Sequence, residues 1–187
     1  MAKTKIFSDS ILHSELLNPQ LDKRIIELLE KYIEQGKMNT DITIGSYQRP
    51  HIACQIVLKT LLTEAASLLR DNYKFKKKTN MKIYAWINRN NKYDFNKPHI
   101  HKSNFSGIYY VQTPKQNGNL VFMKNSLAEE FNDNDRYIKD FSFVRWSIQP
   151  KANQFILFPS NIMHLVEPHY EDKPRISVSF NIDFSNG

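Results

Sequence analysis

Two of the six histidines in this 187-residue chain stand two positions apart, in Pro98-His99-Ile100-His101 at the start of a strand-like segment. Alternate residues of a strand point the same way, so both imidazoles can converge on one metal ion. Two exposed or hydrogen-bonded histidines would give the same pair, and the pair by itself does not separate the two readings. A third histidine, His164, follows the apolar run Phe155-Ile156-Leu157-Phe158-Pro159 and comes 63 residues after His101. That separation can bring it back across a barrel to the first two. Eleven residues further on stands Arg175, with Ser177 two residues beyond it. On one face of a strand, a guanidinium and a hydroxyl so spaced can grip a carboxylate, the first by a bidentate fork and the second by a short hydrogen bond. No convincing Ser-His-Asp set or pair of catalytic carboxylates accompanies them.

The segments that must hold these side chains read mainly as strands. From residue 81 onward, short β-branched and aromatic runs are separated by Asn, Gly, Pro and Lys clusters, which is the texture of antiparallel strands and turns. Strands are predicted near 82–88, 99–112, 119–123, 141–148, 154–158, 163–167 and 175–184. With no helical stretch between them, they suit a sandwich or barrel and not a parallel α/β sheet. In the last of them Ile176, Val178, Phe180, Ile182 and Phe184 alternate with Arg175, Ser177, Ser179, Asn181 and Asp183. One face is therefore apolar and the other polar, although a surface strand with its polar side in water would look the same.

Upstream the pattern is helical. Asn18 can accept a bond from an orphan N–H, and Pro19 lacks the donor that a first helical residue would waste. A helix over 19–35 follows, with Leu21, Ile25, Leu28, Leu29, Tyr32 and Ile33 on one face and Gly36 as a stop. A second helix over 51–71 carries Ile52, Ile56, Leu58, Leu61, Leu62, Ala65, Leu68 and Leu69 with few charges, so burial is expected.

The length suits one domain over 1–187, with 1–80 as mainly helical support and 81–187 as the core that carries the histidines. A hydrophobic share of 41 % and a charged share of 24 % exclude a disordered or fibrous chain. The N-terminal residues lack the apolar run of a signal peptide and no stretch reaches membrane-spanning length, which predicts a cytoplasmic protein with no membrane partner. The single cysteine, Cys54, rules out an intrachain disulfide framework and reads as a buried small hydrophobe. A net charge of +7 favours an anionic partner, but the one dense run, Lys74, Lys76, Lys77 and Lys78, falls between a helix and a strand and reads as a solvated loop.

Taken together, the HxH pair, the histidine about sixty residues later and Arg-x-Ser eleven residues beyond resemble the Fe(II)- and 2-oxoglutarate-dependent oxygenases. Ser106-Gly107-Ile108-Tyr109-Tyr110-Val111, Phe158-Pro159-Ser160 and Arg175-Ile176-Ser177-Val178-Ser179-Phe180-Asn181 are similar to a bacterial and phage branch of them. The resemblance covers about 82–184. It implies a mainly β (α+β) fold, a double-stranded β-helix or jelly-roll barrel supported by N-terminal α-helices. It further implies Fe(II), 2-oxoglutarate as cosubstrate and O2. His99, His101 and His164 match the metal ligands, and Arg175 matches the residue that pairs with the distal carboxylate of 2-oxoglutarate, assisted by Ser177. Tyr109 and Tyr110 match the strand that lines the cosubstrate pocket, where alternation lets only one point inward. Asn88, Trp86 and Asn181 are further candidates for the same cavity. The implied reaction is oxidation, as in a hydroxylase, of an unknown prime substrate, a small molecule or a protein side chain.

One position departs from the family. Most relatives ligate iron with His-x-Asp or His-x-Glu and a distal histidine, and here the acidic position is His101. A third neutral imidazole leaves the site one unit more positive, which should alter its redox behaviour and weaken Fe(II) retention. Asp94 is the nearest preceding carboxylate and the alternative third ligand, and a site using only one member of the pair is the other alternative. Two rival functions fit parts of the pattern. A cupin also has an HxH pair and a later histidine, but Lys102 to Gly107 lacks the cupin glutamate, Asn161 stands where its second-motif glycine belongs, and Arg175-x-Ser177 has no task there. A metal-free basic module binding nucleic acid explains the charge and leaves the histidines unexplained. The sequence is compatible with a monomer or a homodimer.

Overall fold

The computed structural model describes residues 2–6, 9–33, 43–44, 47–49, 52–75, 78–123 and 145–187. Pro19–Ile33 forms α1, and its start follows the expected chemistry: the Leu21 backbone N–H donates to the Asn18 side-chain oxygen at 3.0 Å. Leu21, Ile25 and Leu29 are its buried face, while Gly36 lies outside the described residues. Gln55–Asn72 forms α2, starting four residues later than expected, with Val57, Leu61, Ala65, Leu68 and Leu69 fully buried. Ile56 departs from the expected apolar face and is 69 % exposed. Cys54 is also a correction: it precedes α2 and is only partly buried, not enclosed within a helix.

Before residue 80 the two helices are accompanied by four strands: β1 (Ala2–Ile6), β2 (Asp9–Glu15), β3 (Thr43–Ile44) and β4 (Tyr47–Arg49). The rest are β5 (Thr79–Asn90), β6 (Phe95–His99), β7 (Phe105–Gln112), β8 (Leu120–Met123), β9 (Arg145–Ile148), β10 (Gln154–Pro159), β11 (Met163–Val166) and β12 (Arg175–Asn186). The single strand expected over 99–112 is in fact two, since β6 ends at His99 and β7 begins at Phe105. Of the strand expected over 141–148, residues 141–144 lie outside the described residues, as do Lys76 and Lys77 of the lysine run.

All pairings are antiparallel and build two sheets, in the orders β1-β2-β10-β7-β12-β5-β4 and β3-β6-β11-β8-β9. The larger sheet carries both helices on its outer face. There Ala85, Ile87, Tyr109, Phe155, Val178 and Phe180 pack with Leu61, Leu68 and Leu69 in one apolar cluster. Its opposite face meets the smaller sheet through a second cluster that includes Ile108, Tyr110, Leu120, Phe122, Ile156 and Phe158. The alternation of β12 thus has a physical cause. Ile176, Val178, Phe180 and Ile182 face the helices, and Arg175, Ser177 and Ser179 face a cavity between the sheets. Among the described residues no helix is long and apolar enough to cross a membrane.

Candidate active site

The cavity has a volume of about 300 Å³. His164 lies on β11 directly opposite His99 on β6, and residues opposite one another on paired strands present their side chains to the same face. His101 reaches the same place by another route. It stands past the end of β6, where its backbone N–H donates to the Ser160 carbonyl at 2.9 Å, so strand alternation is not what aims it inward. The ring centroids are 4.3 Å apart for His99 and His164, 5.0 Å for His99 and His101, and 5.1 Å for His101 and His164. One ligand atom from each of the three lies within 4.8 Å of the others, and Asp94 is not in that group. The Asp94 carboxylate instead accepts the Asn91 N–H at 2.7 Å, and its charge favours the charged form of Arg175.

The rings are prepared as ligands. His99 Nδ1 lies 2.7 Å from the Lys97 carbonyl and His164 Nδ1 2.9 Å from the Ile162 carbonyl. A carbonyl only accepts, so each Nδ1 carries the proton and each Nε2 keeps a free lone pair. Burial lowers the pKa of His99. Burial first, then His99 nearby, pushes His101 down to about 4, and burial with both neighbours pushes His164 down to about 3. All three are neutral near pH 7.

That neutrality has a cost in acid. In the unfolded chain a histidine takes up its proton near pH 6.5, whereas the folded sites resist until about 4 and about 3. Between these limits the unfolded state binds more protons, so stability falls as pH falls, by up to about 1.4 kcal/mol per pH unit for each histidine. Urea midpoints of the metal-free protein at pH 7.5, 5.5 and 4.5 should fall steadily, and less steeply in His164→Ala. A flat profile would refute buried neutral imidazoles.

Arg175, at the start of β12, is 1 % exposed. Its Nη1 donates to the Gly118 carbonyl at 2.7 Å, and its Nη2 is buried with no hydrogen-bond partner. Desolvation lowers its pKa, and the nearby Tyr110 and Asp94 oppose that shift. The Tyr110 hydroxyl is also buried without a partner, and its pKa is pushed up to about 12 by burial. Both orphaned groups belong to residues lining the cavity, as do Ser177, Asn88 and Trp86. Tyr109 points away, because its hydroxyl donates to the Asp22 carboxylate of α1 at 2.6 Å, with the Leu16 carbonyl 3.1 Å off. Tyr110 is thus the inward member of the pair and Tyr109 belongs to the helix-facing core. Asn181 is a further correction. It does not line the cavity, but its side-chain oxygen accepts from the Ser106 hydroxyl at 2.8 Å, and Ser106 is also bonded to Ser160 at 2.7 Å.

Three contributors escaped the sequence reading. Asn90, opposite Arg175 in the ladder, and Asn96 on β6 both line the cavity, and asparagines near turns carry no signal that separates them from loop residues. Gly118 is the third. A Cβ there would run into the Glu167 carbonyl and come 2.5 Å from the Pro168 carbonyl oxygen, so only glycine lets its own carbonyl reach Arg175. Gly118→Ala should cost about 1–3 kcal/mol in urea unfolding through the forced backbone shift. It should also weaken binding of a carboxylate at Arg175, and unchanged values of both would show that the contact is dispensable.

A family model described as "Putative 2OG-Fe(II) oxygenase" matches residues 84–181. The chain belongs to this family of 2OG-Fe(II) oxygenases. The family uses Fe(II), 2-oxoglutarate and O2, and the oxygenase is accordingly an oxidoreductase, not a cupin or a metal-free binding module. No curated protein matches the chain. Among solved structures, the oxygenase is similar to a Pseudomonas putida prolyl-4-hydroxylase, with a TM-score of 0.62 and 14 % identity over 92 % of this chain and 91 % of that one. A Trichoplax adhaerens prolyl hydroxylase in complex with a hypoxia inducible factor oxygen degradation domain peptide fragment gives 0.62 and 12 %, over 92 % and 83 %. HygX from Streptomyces hygroscopicus, with nickel, 2-oxoglutarate and hygromycin B bound, gives 0.57 and 11 %, over 92 % and 82 %. At these identities the likeness shows the fold, two antiparallel sheets with supporting helices.

Proposed function

We propose that the oxygenase is a hydroxylase whose Fe(II) is held by His99, His101 and His164 and whose 2-oxoglutarate is held by Arg175. The two sheets are read as a double-stranded β-helix, or jelly-roll, with the active site between them. The observation that carries the proposal is a buried guanidinium with one face unpartnered, in the same cavity as three neutral imidazoles. A buried charge without a full partner is costly, and a bound carboxylate supplies what is lacking. Tyr110 would donate its orphaned proton to the same carboxylate, and Ser177, two residues along on the same face, would assist. Asn88 stands one row further in, its amide bonded to Ser179 at 2.9 Å.

When bound, the metal and cosubstrate supply the oxidation: 2-oxoglutarate and O2 yield succinate and CO2, and one oxygen atom enters a C–H bond of the substrate. The protein orients His99 and His164 by their carbonyl bonds, would anchor the distal carboxylate at Arg175, and lines the cavity with the apolar Phe158, Val166 and Leu120. Relatives in fold bind a peptide fragment and a small molecule, hygromycin B, and the prime substrate here is read as belonging to one of those two classes. The test is turnover with Fe(II) under air. Succinate should form in a 1:1 ratio with 2-oxoglutarate consumed, and no succinate above the metal-free control would contradict the proposal.

A further inference from the structure

The third imidazole has no strand to aim it. His101 stands between β6, which ends at His99, and β7, which begins at Phe105, and the exposed Ile100 precedes it. A loop residue that serves as a metal ligand must be held by bonds from elsewhere, because every backbone dihedral left free in the loop must be frozen when the ion binds.

Those bonds converge on one residue. Ser160 accepts the His101 N–H at its carbonyl, 2.9 Å away, and donates its own N–H to the Asn104 carbonyl at 3.3 Å, so it grips both ends of the segment 101–104. Ser160 also opens the turn from β10 to β11. The Ile162 N–H closes that turn on the Pro159 carbonyl at 3.1 Å, and the Ile162 carbonyl holds Nδ1 of His164. One short turn therefore sets both the backbone of His101 and the ring of His164.

A chain of side-chain bonds pins the turn. Ser160 is fully buried and Ser106 nearly so, and their Oγ atoms are 2.7 Å apart. The Ser106 hydroxyl also lies 2.8 Å from Oδ1 of Asn181. An amide oxygen only accepts, so the single Ser106 proton goes to Asn181 and the Ser160 hydroxyl donates to Ser106. Bonds in such a buried chain strengthen one another. Ser106 on β7 and Asn181 on β12 are directly opposite in the ladder, so the chain anchors the turn to two inner strands of the larger sheet.

We propose, resting on the metal assignment above, that Ser160 and Ser106 are positioning residues of the metal centre: their hydroxyl chain to Asn181 holds the turn that brings His101 and His164 within reach of one ion. The hydroxyls are not ligands and act through the two imidazoles.

Co(II) titration followed by proton NMR tests this, because bound high-spin Co(II) moves the ring protons of each coordinated imidazole far outside their ordinary range and so counts the ligands. The native chain should show three such rings, assigned by comparison with His101→Asp and His164→Ala. In Ser160→Ala and in Ser106→Ala the affinity for Co(II) should fall about tenfold or more, as for outer partners of other metal-bound histidines. The signals of His101, His164 or both should move or vanish while those of His99 stay. The double variant should lose no more than Ser106→Ala alone, since either change breaks the same chain. Asn181→Asp keeps an acceptor for Ser106 and should keep the three-ring spectrum. Should Ser160→Ala fail to fold, Ser106→Ala and Asn181→Leu carry the test. Leu68→Val, in the core under α2, destabilises the chain away from the site and should leave spectrum and affinity unchanged. Native behaviour of both serine variants, additive losses in the double variant, or an equal disturbance in Leu68→Val would overturn the inference. A native chain with fewer than three shifted rings refutes the metal assignment, and this inference with it. Three rings and full affinity in the native chain and in both serine variants refute this inference only.

Discussion

Arg175→Met should lower the affinity for 2-oxoglutarate by about 100-fold or more, equivalent to about 3 kcal/mol, while metal binding survives. Methionine keeps much of the length of arginine and none of its charge. In the native chain one guanidinium nitrogen is committed to the Gly118 carbonyl and another is buried without a partner, so a bidentate grip on a carboxylate is lost outright. The stability of the ligand-free protein separates binding from architecture. Removing a buried, half-paired charge relieves a desolvation cost, and the unfolding free energy should change by no more than about 1 kcal/mol. Calorimetric titration with 2-oxoglutarate in the presence of Mn(II), together with urea unfolding, checks both. Unchanged affinity would remove Arg175 from the cosubstrate site. A collapse in stability would make it a structural residue.

His164→Ala should weaken metal binding by more than about 100-fold, since even outer partners of metal-bound histidines are worth 10–100-fold. His164 is 4 % exposed and is tied through Nδ1 to its own turn, so its free nitrogen has no competing task. The same Fe(II) titration on His101→Asp should show tighter retention than the native chain, because a carboxylate would cancel one unit of charge that a third imidazole leaves in place. Weaker retention in that variant would mean that the loop carrying His101 is shaped for an imidazole alone.

Local chemistry made part of this molecule legible in its sequence. Asn18 and Pro19 start α1 through contacts within one turn, and β12 declares its two faces by strict alternation because helices cover one and a polar cavity the other. β2 gave no such sign. Ile11 and Leu12 are adjacent and both fully buried, one in each core cluster, so a strand covered on both faces has no period of two. The consecutive Tyr109 and Tyr110 were equivalent until Asp22 of α1 claimed one of them, a contact 87 residues away along the chain. His101 does lie with the other two histidines, but not for the reason that its spacing suggests. The chain leaves β6 at His99, and the Ser160 carbonyl, not strand pleating, holds the loop that delivers the third imidazole.

The central claim is tested most directly by a crystal structure of the anaerobic Fe(II) and 2-oxoglutarate complex. Iron should be bound by Nε2 of His99 and His164 and by the His101 ring, with the distal carboxylate against Arg175 and the Tyr110 hydroxyl. Iron bound elsewhere, a carboxylate such as Asp94 in the place of His101, or the cosubstrate turned away from Arg175 would contradict it.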